Sequence, residues 1–231
     1  MATVKRSDDE ADGGPPPALR DLADDWAGDQ ETFRHVHWGK AMMWIFLLSD
    51  TFIFSSFLVS YMTMRASVTA PWPNASEVFA LTIAGRSIPL ILIAIMTFVL
   101  ISSSGTMAMA VNMGYRRNRR ATAALMFATA VLGATFVGMQ AFEWSKLIHE
   151  GVRPWTNPFG AEQFGATFFM ITGFHGLHVS VGVIMLSIVA TKVLRGHYER
   201  SRDYSAVEIA GLYWHFVDLV WVFIFAFFYL W

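Results

Sequence analysis

The 231-residue sequence contains no cysteine. That absence excludes structural disulfides, iron–sulfur clusters, covalently attached haem c, thiolate copper or zinc sites and a cysteine nucleophile. Charge is scarce as well. Asp, Glu, Lys and Arg together make up 15% of the chain, against roughly 25% in soluble domains. The net charge is −1, so the composition implies neither nucleic acid nor a strongly charged partner. What the chain has in quantity is apolar side chains: 55% hydrophobic and 15% aromatic residues, with a mean hydropathy of +0.42.

The few acids are unevenly placed. Nine of the 18 precede Thr32: Asp8, Asp9, Glu10, Asp12, Asp21, Asp24, Asp25, Asp29 and Glu31. Gly13, Gly14, Pro15, Pro16 and Pro17 lie among them. Such a stretch buries too little apolar surface to offset its ordering entropy, so residues 1–32 read as a flexible, solvated cytoplasmic tail. It lacks the apolar region of a signal peptide and is too acidic for a mitochondrial transit peptide.

Residues 33–231 read as an all-α membrane domain. About 20 apolar residues cross the hydrocarbon core as a helix, and five stretches qualify: 41–64, 87–115, 121–145, 164–191 and 209–231. Lipid offers backbone amides no partner, so each must satisfy its own as a helix, giving a five-helix polytopic bundle. Lysine and arginine set its orientation. Thirteen of the 17 fall before the first span (residues 1–40), on the 116–120 connection or around 192–202; the other four are Arg65, Arg86, Lys146 and Arg153. The positive-inside rule then puts the N-terminus in the cytoplasm and the C-terminus outside. Trp38, Trp44, Trp72, Trp144, Trp155 and Trp231 fall near the expected interfaces. Small residues four apart, as in Ala130/Ala134/Gly138, Gly176/Ser180, Ser56/Ser60 and Thr106/Ala110/Gly114, mark faces where helices approach closely.

Ionisable groups inside a span cost about 2.5–3.5 kcal/mol on insertion scales, so each is a candidate site. Asp50 lies ten residues beyond Lys40, or roughly 15 Å along a helix. It reads either as a lipid-headgroup, proton-linked or gating acid, or as a neutral acid hydrogen-bonded between helices. Glu143, three residues before Lys146, is placed to snorkel or to pair with that lysine. His175 and His178 share a helix face, as do His215 and Asp218. Three roles are open to the histidines: metal or haem ligand, proton carrier, or polar link between helices. Imidazoles one turn apart on one helix do not pinch a haem, and a metal needs three or four convergent ligands. The polar-link reading is therefore preferred, with Asp218 and His215 as candidate partners and Glu143 as a further one if the helices align.

Several strings resemble a known family. WIFLLSDTFIF (44–54), MQAFEW (139–144), ATFFMITGFHGLHVSVG (166–182) and LYWHFVDLVWVF (212–223) are similar to subunit III of haem-copper terminal oxidases. The likeness covers roughly residues 36–231 and matches the last five helices of seven-helix members, as in the shorter bacterial forms. It implies a non-catalytic accessory subunit of the bacterial cytoplasmic membrane that binds no cofactor itself. Haem and copper then sit in its partners, the catalytic subunit I and subunit II, and structural phospholipids fill a cleft near an oxygen access path. It further implies support of proton uptake and protection of the catalytic subunit during turnover. The family's buried carboxylate falls on Asp50, usually a glutamate, and its carboxylate after Gln-Ala on Glu143. Its histidine pair falls on His175 and His178, and its WHFVD motif includes Trp214, His215 and Asp218. The stretch 102–120 departs from the histidine-rich pattern of many members. Quinol-oxidase and nitric oxide reductase-associated relatives remain alternatives. From other classes, so do a small b-type cytochrome and a proton transporter.

Overall fold

The computed structural model describes residues 37–83, 86–88, 90–198 and 204–230. The acidic N-terminal stretch lies outside them. The elements are helix α1 (Trp38–Ser67), a one-turn helix α2 (Ala75–Val78), strands β1 (Leu81–Ile83) and β2 (Arg86–Ile88), and helices α3 (Ile91–Tyr115), α4 (Arg119–His149), α5 (Gln163–Leu194) and α6 (Ser205–Phe225). The chain leaves α6 through a π-helical turn, Ala226–Leu230. Five of the helices are long and apolar enough to cross a membrane, which makes this an all-α, multi-pass membrane protein.

The second span starts later than its hydropathy indicates. Ser87 belongs to a short antiparallel hairpin in which Leu81 pairs with Ile88 and Ile83 with Arg86. The helix begins only at Ile91, after Leu90 in the left-handed region (φ 58°). Apolar composition extends across the hairpin, but the proline at 89 denies a helix the preceding residue. The next connection is tight. Asn118 caps α4 by accepting from the Ala121 amide at 3.2 Å, directly after Arg117 at φ 56°. At the far end of α4, Gly151 adopts φ 91°, and the Val152 amide returns to the Leu147 carbonyl at 2.9 Å. A left-handed residue there is the usual way to close a helix.

Helices α3, α4, α5 and α6 form a ring in which each packs on the next and α6 closes back on α3, while α1 lies outside it against α6 and α5. Trp214, Trp221, Phe136, Phe164, Phe168, Met96, Met107 and Met126 fill the ring's interior. Large apolar side chains such as Phe52, Phe98, Val131 and Ile184 point outward, as they must where the solvent is hydrocarbon. Many hydroxyls within the spans bond to the preceding turn, as Thr51 does to the Leu47 carbonyl and Ser180 to that of Gly176, both at 2.8 Å. Polar side chains are thereby tolerated at depth without an external partner.

The small-residue rows mark the close contacts only in part. A Cβ at Gly138 or Gly176 would meet nothing within 4 Å, and Ser56 and Ser60 are exposed. The tight approaches occur at Gly133 on α4 and Gly182 on α5, where an added Cβ would lie 2.3 Å and 2.9 Å from the Trp214 ring. Neither glycine has a glycine, alanine or serine four residues away. A bulky side chain from α6 fills these notches, and spacing within one helix does not reveal that.

Candidate functional site: polar links between the helices

Asp50 sits in the middle of α1 and is 4% exposed. Its Oδ2 lies 2.9 Å from His178 Nε2 on α5. His178 Nδ1 lies 2.8 Å from the Phe174 carbonyl, an acceptor only, so Nδ1 carries a proton and donates it. Asp50 Oδ2 completes no hydrogen bond among the described residues, so the contact is an electrostatic one of short distance that joins α1 to α5. The Phe54 ring packs against His178 at 5.4 Å between centroids, and the Tyr213 hydroxyl donates to the His178 carbonyl at 3.0 Å.

His175, three residues earlier and fully buried, does something different. Its Nε2 donates to the Val217 carbonyl on α6 at 3.1 Å. The ring is enclosed by Trp221 and Phe136 at centroid distances of 5.3 and 5.8 Å. The two histidines therefore have separate partners, and neither meets Asp218 or Glu143. Sequence spacing put His175 and His178 on one face, but their partners were set by α1, which packs on the side of His178.

The α6 motif turns toward α3 instead. Trp214 Nε1 donates to Ser103 Oγ at 2.9 Å, Ser104 Oγ meets His215 Nδ1 at 2.6 Å, and Trp221 Nε1 donates to Thr97 Oγ1 at 3.1 Å. Asp218 stands beside Ser104 and His215. Further along the ring, Thr106 and Thr129 hydroxyls join α3 to α4 at 2.8 Å. Trp214 is the centre of this arrangement. Its ring wedges between Gly133 and Gly182 while its nitrogen holds Ser103, so one side chain fastens α6 to three other helices.

Glu143 corrects the pairing expected from its neighbour. It is 3% exposed, and its Oε2 accepts from the Tyr229 hydroxyl at 3.3 Å and from Gln140 Nε2 at 3.5 Å. Lys146 turns away, bonding to the Ala80 carbonyl and lying 3.4 Å from Glu150. The helix runs on to His149, which leaves Glu143 a turn deeper than a span ending at 145 suggests. The π-helical turn after α6 brings Tyr229 to it.

Sequence reasoning passed over Ser103, Ser104, Thr97, Tyr213, Tyr229 and the Lys40–Glu208 pair, whose Nζ and Oε1 are 2.5 Å apart. A signal for the first set was available. Thr97 and Ser103 are six residues apart on α3, and their partners Trp221 and Trp214 are seven apart on α6. Spacings of about two turns on both helices are what a polar seam between antiparallel helices needs. Among the described residues, no three His, Asp or Glu side chains are grouped to hold a metal ion.

Comparison with known proteins gives the same picture. The family described as cytochrome c oxidase subunit III matches residues 20–231. Cytochrome c oxidase subunit 3 of Alkalihalophilus pseudofirmus is 31% identical over 187 residues, 81% of this chain and 84% of that one. A protein named probable quinol oxidase subunit 3, from Staphylococcus saprophyticus, is 31% identical over 188 residues, covering 80% and 85%. Cytochrome c oxidase subunit 3 of a Bacillus species is 31% identical over 194 residues, covering 81% and 83%. With five lipid-crossing helices and a match over nearly its whole length, the chain belongs to the cytochrome c oxidase subunit III family, as an accessory membrane subunit of a haem-copper oxidase that associates with the other subunits of its complex.

Proposed function

We propose that this subunit stabilises the catalytic subunit I of an oxygen-reducing, proton-pumping oxidase and, together with bound phospholipid, sustains its proton uptake. It does so alongside subunit II, in a bacterial cytoplasmic membrane, with its N-terminus inside and its C-terminus outside. Electron chemistry belongs to the partners, and this chain holds no redox centre. The observation that carries the reading is the Asp50–His178 contact: an acid and an imidazole 2.9 Å apart, enclosed at mid-membrane depth between two helices. Such groups are kept in membranes for a function or a specific contact. Beside them, α1 and α6 enclose a cavity of about 370 Å³ lined by Thr51, Phe54, Leu58, Phe216, Leu219 and Phe223. Its apolar walls and open side suit an acyl chain.

In Asp50→Ala, the oxidase is expected to assemble and to start at its normal rate, then to lose activity faster during turnover and to retain less lipid. Unchanged turnover lifetime and lipid content would overturn this role. A stoichiometric Soret band or bound copper on the purified chain alone would end the claim that its partners hold the redox centres.

The relatives include subunits named for both cytochrome c and quinol oxidases at the same 31% identity, and this favours a second reading with quinol as the electron donor. Co-purification separates the two. A copper-binding subunit II beside this chain means a cytochrome c donor; a subunit II without copper means quinol.

A further inference from the structure

We propose that Trp221, Tyr229 and Glu143 form a redox-active unit: an oxidising equivalent that reaches the indoles of α6 comes to rest as a phenoxyl radical on Tyr229, with the phenolic proton held by Glu143. The unit stands on this chain's own geometry; an oxygen-reducing complex as the source of the oxidant rests on the oxidase-subunit reading above.

The two aromatic residues have unequal partners. Trp221 is fully buried, and its Nε1 donates to Thr97 Oγ1 at 3.1 Å. A hydroxyl is a poor base, so an oxidised Trp221 keeps its proton and stays a strongly oxidising radical cation. The Tyr229 ring lies 6.3 Å from it between centroids, a gap that an electron crosses readily. The Tyr229 hydroxyl donates to Glu143 Oε2 at 3.3 Å. That oxygen also accepts from Gln140 Nε2 at 3.5 Å, the role of a carboxylate. A phenol that can hand its proton to a carboxylate gives up an electron more easily than an indole that cannot lose its own. The hole therefore runs from Trp221 to Tyr229 and not back. Around Tyr229 stand Phe79, Phe225 and Phe168, at 4.5, 6.0 and 6.4 Å between centroids, rings that neither take a proton nor oxidise readily.

Packing alone asks for none of this. A phenylalanine would fill the place of Tyr229, and an enclosed acid in a membrane span is costly unless it has a task. The π-helical turn Ala226–Leu230 is what carries the phenol onto Glu143, and π-helical turns recur at functional sites.

The oxidant is a one-electron acceptor of the kind that peroxide produces in an oxygen-reducing enzyme, an indolyl or phenoxyl radical on a neighbouring subunit. It takes one electron from Trp221. Trp221 takes one from Tyr229, and the phenolic proton passes to Glu143 Oε2. Trp221 is then restored, Tyr229 is a neutral radical and Glu143 a neutral acid. The reverse charge comes from a small water-soluble reductant, an enediol or a thiol. Tyr229 lines a cavity of about 330 Å³ with Tyr61, Arg65, Asn74, Ala75 and Ser76, where α1 and α6 end. A reductant there lies near enough to return the electron without touching the enclosed hydroxyl, and Glu143 returns the proton.

The test has two arms. Whole purified oxidase, freeze-quenched after hydrogen peroxide, should show a phenoxyl radical by electron paramagnetic resonance that is lost in Tyr229→Phe. Tyr213→Phe, whose hydroxyl meets a carbonyl and no base, should leave it in place. Glu143→Gln keeps an acceptor for the hydroxyl but takes no proton, so the radical there should remain indolyl. Ascorbate should quench the Tyr229 radical, and Ala75→Phe, which fills the cavity, should slow that quenching. A phenoxyl signal undiminished in Tyr229→Phe, or at full strength in Glu143→Gln, would overturn the proposal; equal quenching in Ala75→Phe would overturn the cavity's part in it. In the second arm, an ultraviolet flash ionises indoles in the purified full chain in lipid nanodiscs, with no oxidase present. Indolyl absorbance should convert to phenoxyl, and Tyr229→Phe should lose the conversion. Absence of conversion would overturn the unit itself. Conversion after the flash, with no phenoxyl from peroxide, would leave the unit standing and remove the oxidase as its source.

Discussion

The α6–α3 seam and the α1–α5 contact both join helices distant in sequence, but they do so differently. Along the seam, Trp214, His215 and Trp221 make three hydrogen bonds to α3, and the Trp214 ring fills notches at Gly133 and Gly182. Helix α1 has one glycine, Gly39, in its first turn. It is tied by Asp50 to His178 at mid-depth and by Lys40 to Glu208 at one end, and most of its large side chains point outward. In lipid, apolar contact alone gives helices little reason to associate, and shape and hydrogen bonds decide. The ring has both kinds of support on every side, whereas α1 packs chiefly on α5 and α6, through these polar points and through Phe46, Phe54 and Phe57. The ring should therefore behave as one rigid unit and α1 as a separable strut.

The comparison breaks most visibly at the notch. In Gly133→Leu, even the first side-chain carbon would sit 2.3 Å from Trp214 Cη2, and Gly182 and Val183 leave the indole nowhere to retreat. Overpacking of this kind costs about 1–3 kcal/mol or more, so folded yield should collapse. The smaller Gly133→Ala should lower the thermal midpoint, and combining it with Trp214→Phe should recover part of the loss. Additive effects in that double-mutant cycle would show that the notch is not shared.

Helix α1 should respond on its own. Asp50→Leu leaves His178 Nε2 enclosed without its acid, and a polar contact between membrane helices contributes about 0.6–2 kcal/mol. Amide exchange in α1 should accelerate roughly threefold to thirtyfold, with α3–α6 unchanged. Equal acceleration in all five long helices would mean that α1 is an integral part of the ring. Tyr229→Phe tests the ring's other acid. Losing the hydroxyl that Glu143 accepts from should cost about 1 kcal/mol, read as a lower unfolding midpoint, and Glu143→Gln should lessen the difference between Tyr and Phe.

The five helices were legible because hydrocarbon imposes a length and a composition that local sequence must satisfy. Charge placement and the polar residues within spans were legible for the same reason. Partners were not, since they depend on how helices rotate against one another. The depth of Asp50 is legible from its distance to Lys40, but nothing in its neighbours points to His178 rather than Asp218. Glu143 misled because Lys146, one turn away, offers a local pair, while Tyr229 reaches it only through the π-helical turn after α6. Ser87 misled because an apolar hairpin and an apolar helix share a hydropathy. The glycines that matter, Gly133 and Gly182, stand out only once the indole that fills them is in view.

The smallest effect is expected at the other tie of α1. Lys40 and Glu208 are 2.5 Å apart, but their side chains keep 34% and 28% of their exposure, so water and salt screen them. Exposed ion pairs contribute about 0.2–1 kcal/mol. Lys40→Ala should therefore shift α1 exchange by no more than roughly fivefold, chiefly in its first turns, and raising salt to 1 M, where the screening length is about 3 Å, should erase the difference from the unsubstituted protein. Asp50→Leu should keep its effect at the same salt, because its contact lies where ions do not reach. If both variants lost their effect together, α1 would be held by surface electrostatics along its length, and the enclosed Asp50–His178 contact would no longer distinguish it from the ring.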